Sequence, residues 1–316
     1  MAPTDEALFP KSKIQAASGG VTRLRQLLTD ESHIVVCPGV YDGFTARIAL
    51  AAGFECLYMT GAGTTMSRLG LPDLGLATLN DMRDNASMIA GLDRDIPLIA
   101  DADTGYGGPL MVGRTVSAYI SGGVAALHLE DQVMNKRCGH LRGKQVVEEE
   151  VFLSRIKAAV KMRAQTGRDI VVIARTDAMQ LLGYDAAVDR LRKALAVGAD
   201  VAFLEGIRSK EEARQVCKDL YPAPVLLNMA HGGLTPSISV AEAQEMGFRI
   251  IIFPGLAVQS VYGAVTKAVK ELRETGDIKY LEGGVPSPGE IYGVCGMQEA
   301  VDFDLAAGAS TYTNGV

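Results

Sequence analysis

Carboxylates, a thiol and basic side chains are concentrated between residues 101 and 140. Residues 101–108 read Asp-Ala-Asp-Thr-Gly-Tyr-Gly-Gly, residues 128–132 read His-Leu-Glu-Asp-Gln, and residues 136–140 read Lys-Arg-Cys-Gly-His. Short apolar runs end just before the first two segments. The acids are therefore expected where buried strands leave a sheet, which is where α/β enzymes place their active sites.

Three of these acids, Asp101, Asp103 and Glu130, indicate a divalent cation. They are hard oxygen donors without a matching His cluster, and such donors suit Mg²⁺ or Mn²⁺. The ion would leave positions for substrate oxygens and polarise a carbonyl or carboxylate group. The alternative is that each acid caps a helix or pairs with Arg175 or Lys136. That alternative is weaker for the whole set, because buried like charges repel and need a cation nearby.

Other polar residues stand at the ends of the remaining apolar runs. Arg175 would either neutralise a buried acid or hold a substrate carboxylate with its planar guanidinium group. The further candidates are Tyr58, Thr60, His128, Asp131, Asp177, Glu205 and Asn228.

Cys138 lies in a polar, glycine-containing segment. Since nearby cations lower the pKa of a thiol, we expect Cys138 to be partly thiolate and to act as an acid or base on a mobile lid. Cys37, Cys56, Cys217 and Cys295 are expected to be small buried hydrophobic residues. No Cys-x-x-Cys spacing occurs, so neither a disulfide framework nor a zinc site is indicated, and a reducing compartment fits best.

Eight short β-rich runs with helical spacers predict an α/β fold, a (β/α)8 barrel of the TIM type. The runs are residues 34–37, 56–59, 97–100, 125–129, 170–174, 201–204, 225–227 and 250–253. Helical periodicity at residues 151–163 and 184–197, and a glycine shortly before a strand at Gly53, Gly123, Gly198 and Gly247, fit repeated units. An open doubly wound sheet is the rival fold, but Gly61-Ala62-Gly63 lacks the third glycine of the dinucleotide fingerprint.

The 316 residues are predicted to form a single domain. A flexible segment at residues 1–20 would precede a barrel at residues 21–260. Residues 261–316 would add helices at 265–274 and 288–301, which would pack on a barrel end or on a neighbouring subunit. The net charge of −6, without a basic stripe, argues against nucleic-acid or membrane binding and favours a small-molecule partner. No secretory leader, membrane span or peroxisomal address is recognisable, which predicts a cytoplasmic protein.

Together these motifs resemble the isocitrate lyase/phosphoenolpyruvate mutase superfamily over residues 35–301. Residues 38–43, 58–63, 71–75, 173–177 and 248–254 are most similar to lyases of substituted malates, such as 2,3-dimethylmalate lyase, and to petal death protein-like lyases. The resemblance implies an Mg²⁺-dependent lyase that cleaves a carbon–carbon bond in 2,3-dimethylmalate, citramalate, methylisocitrate or a similar 2-hydroxy dicarboxylate. The products would be a 2-oxo acid and a second carboxylate. It also implies a homotetramer, a dimer of dimers that exchanges C-terminal helices between subunits.

The resemblance further implies a role for each site residue. Asp103 would bind the metal directly, and Asp73, Asp101 and Glu130 would reach it through water. Thr60, Gly61, Ala62 and Arg175 would hold the 2-oxo acid end of the substrate.

The remaining implied roles concern proton transfer and the second carboxylate. Cys138 would protonate the departing carbanion, while Gly139 and His140 would help to fix the other carboxylate. Tyr58 resembles the residue proposed to take the 2-hydroxyl proton. Glu205 and Asn228 would line the same pocket.

Two departures from the pattern concern the substrate. The chain reads Asn228-Met229-Ala230-His231 where dimethylmalate-type lyases read Asn-Met-Val-Glu, which loses a carboxylate, and Phe253-Pro254-Gly255-Leu256 replaces a bulkier sequence after the eighth strand. Oxaloacetate acetylhydrolases of this branch are expected to carry Ser where this chain has Pro254, which disfavours that activity. It stays an alternative, as does a catalytically silent barrel that binds a 2-oxo acid.

Overall fold

A closed barrel of eight parallel strands forms the centre of the protein. The computed structural model describes residues 19–278 and 286–312. Neighbouring strands pair in chain order, and β8 pairs with β1 to close the barrel. The strands are β1 (Val35–Val40), β2 (Leu57–Met59), β3 (Leu98–Asp101), β4 (Ala126–Glu130), β5 (Val171–Thr176), β6 (Val201–Leu204), β7 (Val225–Asn228) and β8 (Ile250–Phe253). The predicted (β/α)8 fold is confirmed, and each predicted run overlaps one strand.

Helices follow the strands along the chain. They are α1 (Gly20–Thr29), α2 (Gly43–Ala51), α3 (Gly61–Leu69), α4 (Leu79–Leu92), α5 (Pro109–Gly122), α6 (Glu149–Thr166), α7 (Met179–Leu182), α8 (Tyr184–Ala196), α9 (Lys210–Leu220), α10 (Val240–Met246), α11 (Leu256–Thr275), α12 (Pro288–Val294) and α13 (Met297–Ala306). No helix among residues 19–278 and 286–312 is long and apolar enough to cross a membrane.

The strands are buried on both faces, which explains their continuous apolar sequences. Alternate side chains, such as Val35, Ile99 and Phe203, pack inside the barrel with Leu24 and Leu27 of α1. Helix α1 therefore closes the amino-terminal end of the barrel. The opposite side chains of the strands pack beneath the surrounding helices.

Glycines end the helices that lead into several strands, as the sequence predicts. Gly53, Gly123, Gly198 and Gly247 have φ angles of 82°, 85°, 110° and 100°. A side chain is strained in this left-handed region, so glycine suits these turns.

Three details differ from the sequence predictions. The helix predicted at residues 265–274 begins earlier, at Leu256, shortly after the end of β8 at Phe253. The helix predicted at residues 288–301 divides into α12 and α13 at Gly296, whose φ is 83°. Cys295 is exposed at the end of α12, so its predicted burial is wrong, whereas Cys37, Cys56 and Cys217 are buried. Residues 1–18 of the predicted flexible segment lie outside the described residues, and α1 begins at Gly20.

Candidate active site

The carboxyl end of β3 brings two buried acids together. Asp101 is the last residue of the strand, and its Oδ1 accepts a hydrogen bond of 2.8 Å from the backbone N–H of Asp103. Asp103 has a φ of 45°, and a left-handed conformation costs a non-glycine residue roughly 1–3 kcal/mol. The turn therefore holds both carboxyl groups close to each other at the mouth of the barrel.

The start of α3 lies directly against these acids. Thr60 is the N-cap residue, and its Oγ1 accepts a hydrogen bond of 3.3 Å from the backbone N–H of Gly63. A Cβ atom on Gly61 would lie only 2.3 Å from Oδ2 of Asp101, so only glycine fits here. The first backbone N–H groups of a helix have no partner within it, and they attract anions. Thr60, Gly61 and Ala62 thus suit the anionic end of a substrate.

Lys136 provides the positive charge nearest to the acids. Its Nζ atom lies 2.7 Å from Oδ1 of Asp73 and 2.5 Å from Oδ1 of Asp103, and its side chain is 2% exposed. Burial raises the pKa of Asp103 to about 6, although Lys136 opposes this shift. For Asp103, pairing with Lys136, one of the two interpretations of the sequence, is what the structure contains, and Lys136 also pairs with Asp73.

Arg175 lies at the end of β5 among three further acids. Its Nε and Nη2 atoms donate to both carboxylate oxygens of Asp177 at 2.9 and 3.2 Å. Its Nη1 atom is 3.3 Å from Glu130, and Nη2 is 3.5 Å from Glu205. The guanidinium also stands over the ring of Phe203, 5.2 Å from its centroid. Burial raises the pKa of Glu130 well above its usual value, and Arg175 opposes this rise.

Cys138 lies on a loop whose two ends are joined. Gln132 and Val146 form an antiparallel bridge, and the backbone N–H of Val133 donates to Gln145 at 3.0 Å. The backbone N–H of Cys138 donates to the carbonyl of Asp73 at 3.2 Å, which places the thiol residue beside the acids.

The predicted lowering of the Cys138 pKa is wrong. Burial raises the pKa of the thiol, and the backbone N–H of His140 only opposes this shift. Lys136 is paired with acids, and Arg137 donates to the carbonyl of Arg142 at 3.2 Å, so neither cation stabilises a thiolate. Cys138 is therefore a protonated thiol, which suits a proton donor.

His140 closes the site on the side of β6 and β7. Its Nε2 atom is 3.4 Å from Nδ2 of Asn228 and 3.6 Å from Oε1 of Glu205. Asn228 also donates to Oε2 of Glu205 at 2.9 Å. A Cβ atom on Gly139 would lie 2.6 Å from Nη2 of Arg175, so the loop backbone packs directly on that guanidinium.

Tyr58 and His128 form a buried pair between β2 and β4. The Tyr58 hydroxyl is 2.9 Å from Nε2 of His128, whose Nδ1 is 3.6 Å from Oδ1 of Asp101. Burial lowers the pKa of His128 to about 3 and raises the pKa of Tyr58 well above its usual value. Both side chains are therefore neutral, with the Tyr58 hydroxyl able to donate to His128.

The residues fit a hard divalent cation by their chemistry. Neither carboxylate oxygen of Glu130 has a hydrogen-bond partner among the described residues, and both are buried. No group of three or more His, Cys, Asp or Glu side chains in residues 19–278 and 286–312 forms a ready-made metal cluster. Lys136 instead stands between Asp73 and Asp103. Buried oxygens without a hydrogen bond, although Arg175 lies 3.3 Å from one of them, and an excess of carboxylates favour a cation, which would compete with the ammonium group.

Behind the site, the candidate acids Asp177 and Asp131 pair with two basic residues that the sequence analysis did not identify, Lys144 and Arg190. Lys144 contacts Asp177 at 2.7 Å, while Asp131 accepts from the hydroxyl of Thr176 at 2.6 Å and from Arg190 at 3.2 Å. Burial alone would raise the pKa of Asp177, but Arg175 and Lys144 together hold it at about 2. Lys144 follows Cys138 at no recognisable spacing, so no sequence signal identified it.

The chain matches known proteins over most of its length. Residues 24–273 match the family described as Phosphoenolpyruvate phosphomutase. The 2,3-dimethylmalate lyase of Eubacterium barkeri is 41% identical over 250 residues, which cover 79% of this chain and 83% of that protein.

Two solved structures are equally similar to this chain. One is an oxaloacetate acetylhydrolase in complex with the inhibitor 3,3-difluorooxalacetate, with 52% identity and a TM-score of 0.91, covering 93% of this chain and 99% of that chain. The other is a 2,3-dimethylmalate lyase, with 52% identity and a TM-score of 0.91, covering 95% and 99%.

A more distant structure contains a metal ion. A phosphonopyruvate hydrolase in complex with oxalate and Mg²⁺ is 26% identical, with a TM-score of 0.79, and covers 93% of this chain and 99% of that chain. Since the family match, the curated relatives and the solved structures agree, the chain belongs to the phosphoenolpyruvate mutase/isocitrate lyase superfamily.

Proposed function

We propose that the protein is an Mg²⁺-dependent lyase that cleaves a 2-hydroxy dicarboxylate into a 2-oxo acid and a second carboxylate. The observation that carries this proposal is the hydrogen bond of 3.2 Å from the backbone N–H of Cys138 to the carbonyl of Asp73. This contact supports the proposal that the thiol of Cys138 acts next to the carboxylates that would bind the cation. Carbon–carbon cleavage of a 2-hydroxy dicarboxylate requires both the cation and the thiol, because negative charge develops on the C2 oxygen as it loses its proton and the carbanion formed at C3 must then be protonated.

The acids at the end of β3 and the start of α3 would bind the part of the substrate whose C2 carbon becomes the 2-oxo group. Asp103 would bind the cation directly, with Asp73, Asp101 and Glu130 around it. When bound, the cation polarises the substrate oxygens and stabilises the negative charge that develops on them. Arg175 would orient the neighbouring carboxylate, while the backbone N–H groups of Gly61 and Ala62 would bind its oxygens.

The reaction transfers two protons. As the C2 hydroxyl loses its proton, its electrons form the C2=O bond, and the C2–C3 bond breaks. The electron pair remains on C3 and spreads into the adjacent carboxylate, which His140 and Gly139 help to hold. Cys138 gives its thiol proton to C3, which completes the second carboxylic acid.

Tyr58 would receive the hydroxyl proton as a phenolate. Burial raises the Tyr58 pKa, so the phenolate is not its resting form, and the positive charge of a bound cation would favour it. His128 would not take the phenolic proton, because burial lowers its pKa to about 3. Its neutral ring accepts a hydrogen bond from Tyr58 and would orient the hydroxyl group.

Oxaloacetate hydrolysis is the second candidate, because an oxaloacetate acetylhydrolase is as similar to this chain as the dimethylmalate lyase is. Pro254 speaks against it. Proline has neither a hydroxyl group nor a backbone N–H, so it cannot give the hydrogen bond of the serine expected there.

We also propose that α11 to α13 pack on further copies of this chain in a homotetramer. No residue of α11 is buried, and Tyr262, Val265 and Val269 are 73%, 53% and 59% exposed. An apolar surface of this kind is typical of an interface. Five free cysteines suit a reducing compartment such as the cytoplasm.

A substrate panel tests the proposed activity. Purified protein with Mg²⁺ should release pyruvate or glyoxylate from 2,3-dimethylmalate, citramalate, methylisocitrate or isocitrate, and oxaloacetate should give no oxalate. Oxalate formation would identify the acetylhydrolase instead. Binding of Mg²⁺ and pyruvate without turnover of any substrate would identify a silent barrel.

A further inference from the structure

Lys144 connects two parts of the site that are far apart in the sequence. Its Nζ atom donates to the carbonyl of Gly139 at 2.7 Å and to Oδ1 of Asp177 at 2.7 Å. The side chains of Lys144 and Asp177 are both 0% exposed. One ammonium group therefore joins the loop of Cys138 to the end of β5.

Asp177 is a fixed point for this contact. It binds the Arg175 guanidinium through both carboxylate oxygens, and its backbone N–H donates to Asp131 at 2.8 Å. A carboxylate held on two sides in the interior cannot follow a moving loop. Lys144 therefore holds the loop to a rigid part of the barrel.

Gly139 is the middle residue of Cys138-Gly139-His140. The main-chain bonds that close the loop lie at its base, between residues 132–133 and 145–146. The contact with Lys144 acts at the other end of the loop, where Gly139 packs against Arg175. If Lys144 is lost, the Gly139 carbonyl loses its charged donor, and an unsatisfied buried acceptor favours opening.

We propose that Lys144 is a positioning residue that fixes Cys138 and His140 over the Arg175 end of the site. The catalytic importance of Lys144 rests on the proposed function, whereas its contacts with Gly139 and Asp177 do not. In this arrangement the buried ammonium group of Lys144 sets the distance between Arg175, which would bind the 2-oxo acid, and Cys138, which would give the proton.

The test measures how accessible Cys138 is in Lys144→Met and Lys144→Arg. The rate of iodoacetamide alkylation is followed on the Cys138 peptide by mass spectrometry, which separates it from the exposed Cys295. Lys144→Met should raise this rate at least about fivefold, because the loop opens more often. Lys144→Arg should restore part of the protection. Lys157→Met, on an exposed lysine of α6, is the control and should match the wild type.

Turnover gives a second, separate readout. In Lys144→Met, kcat should fall about 10- to 100-fold, while the affinity for oxalate should change little, because Asp177 still holds Arg175. Lys144→Met could be alkylated faster while the wild-type protein turns over no substrate of the panel. This result would support the positioning role of Lys144 and reject the proposed function.

An unchanged alkylation rate in folded Lys144→Met would overturn the inference, whatever the activity. If that variant fails to fold, Lys144→Met/Asp177→Asn removes both buried charges and takes its place. The double variant should show the same faster alkylation, and wild-type protection in it would likewise overturn the inference.

Discussion

The ammonium nitrogen of Lys136 lies 2.5 Å from Oδ1 of Asp103, the carboxylate expected to bind the cation directly. Lys136 also contacts Asp73 and stands two residues before Cys138 on the same loop. A cation bound to these oxygens would therefore compete with the ammonium group. The proposed metal binding and the position of the loop that carries Cys138 would be linked through this one side chain.

Replacing Lys136 with Met should strengthen Mg²⁺ binding. The variant loses the internal cation that competes for Asp73 and Asp103, so affinity should rise by about tenfold, or about 1.4 kcal/mol. Isothermal titration of the metal-free protein measures this change, with Lys157→Met as the control. Weaker binding in the variant would show that Lys136 assists the metal instead of competing with it.

Asp103→Ala should weaken the binding of Mg²⁺ and of oxalate together. Oxalate resembles a 2-oxo acid, and its oxygens would lose the cation that holds them. Titrations of each ligand, alone and in the presence of the other, measure the coupled loss. Asp84→Ala, on an exposed acid of α4, is the control. Normal oxalate binding by Asp103→Ala would show that recognition of the oxo acid does not depend on the Asp103 carboxylate.

Cys138→Ser should lower kcat by about 10²- to 10⁴-fold, the usual contribution of general acid catalysis. Burial keeps the thiol protonated, and serine is a far weaker acid at the same place. Oxalate affinity should change little, because the cation site and Arg175 remain. The exposed Cys295→Ser variant is the control in the same steady-state assay. Near-normal turnover of Cys138→Ser would leave Cys138 as a structural residue of the loop.

His128 should make the protein less stable as the pH falls. Its folded pKa is about 3, mainly because of burial, and an unfolded histidine titrates near about 6.5. Between these values the unfolded state binds the extra proton, so the free energy of unfolding decreases as the pH is lowered.

This contribution is at most about 1.4 kcal/mol per pH unit, and it should be absent from His128→Asn. Urea unfolding across the window, at one protein concentration, measures the difference in slope between variant and wild type. His231→Asn is the matched control. Equal slopes for His128→Asn and wild type would mean that His128 is already protonated in the folded protein.

Much of the fold and the membership of the site could be predicted from the sequence because both depend on local patterns. The apolar runs at residues 201–204 and 250–253 coincide with β6 and β8, since strands buried on both faces leave an unmistakable continuous pattern. Acids that follow such runs, such as Asp101, then gather at one end of the barrel.

The sequence left the pairing of charges open between two interpretations, because it depends on where long side chains reach. Lys136 and Arg137 precede Cys138 in the sequence, yet their charges engage Asp103 and the Arg142 carbonyl. The thiol pKa therefore shifts in the direction opposite to the one expected from its neighbours. Lys144 reaches Asp177 across 33 residues, a contact that no local pattern encodes.

The most direct test of the central claim is turnover after complete removal of metal. The protein is treated with EDTA, freed of chelator, and assayed for 2-oxo acid release from the best substrate of the panel, before and after Mg²⁺ is restored. We expect activity to disappear without metal and to return with Mg²⁺ or Mn²⁺, while the fold, followed by circular dichroism, stays unchanged. Full activity in the metal-free protein would contradict the proposed metal-dependent cleavage.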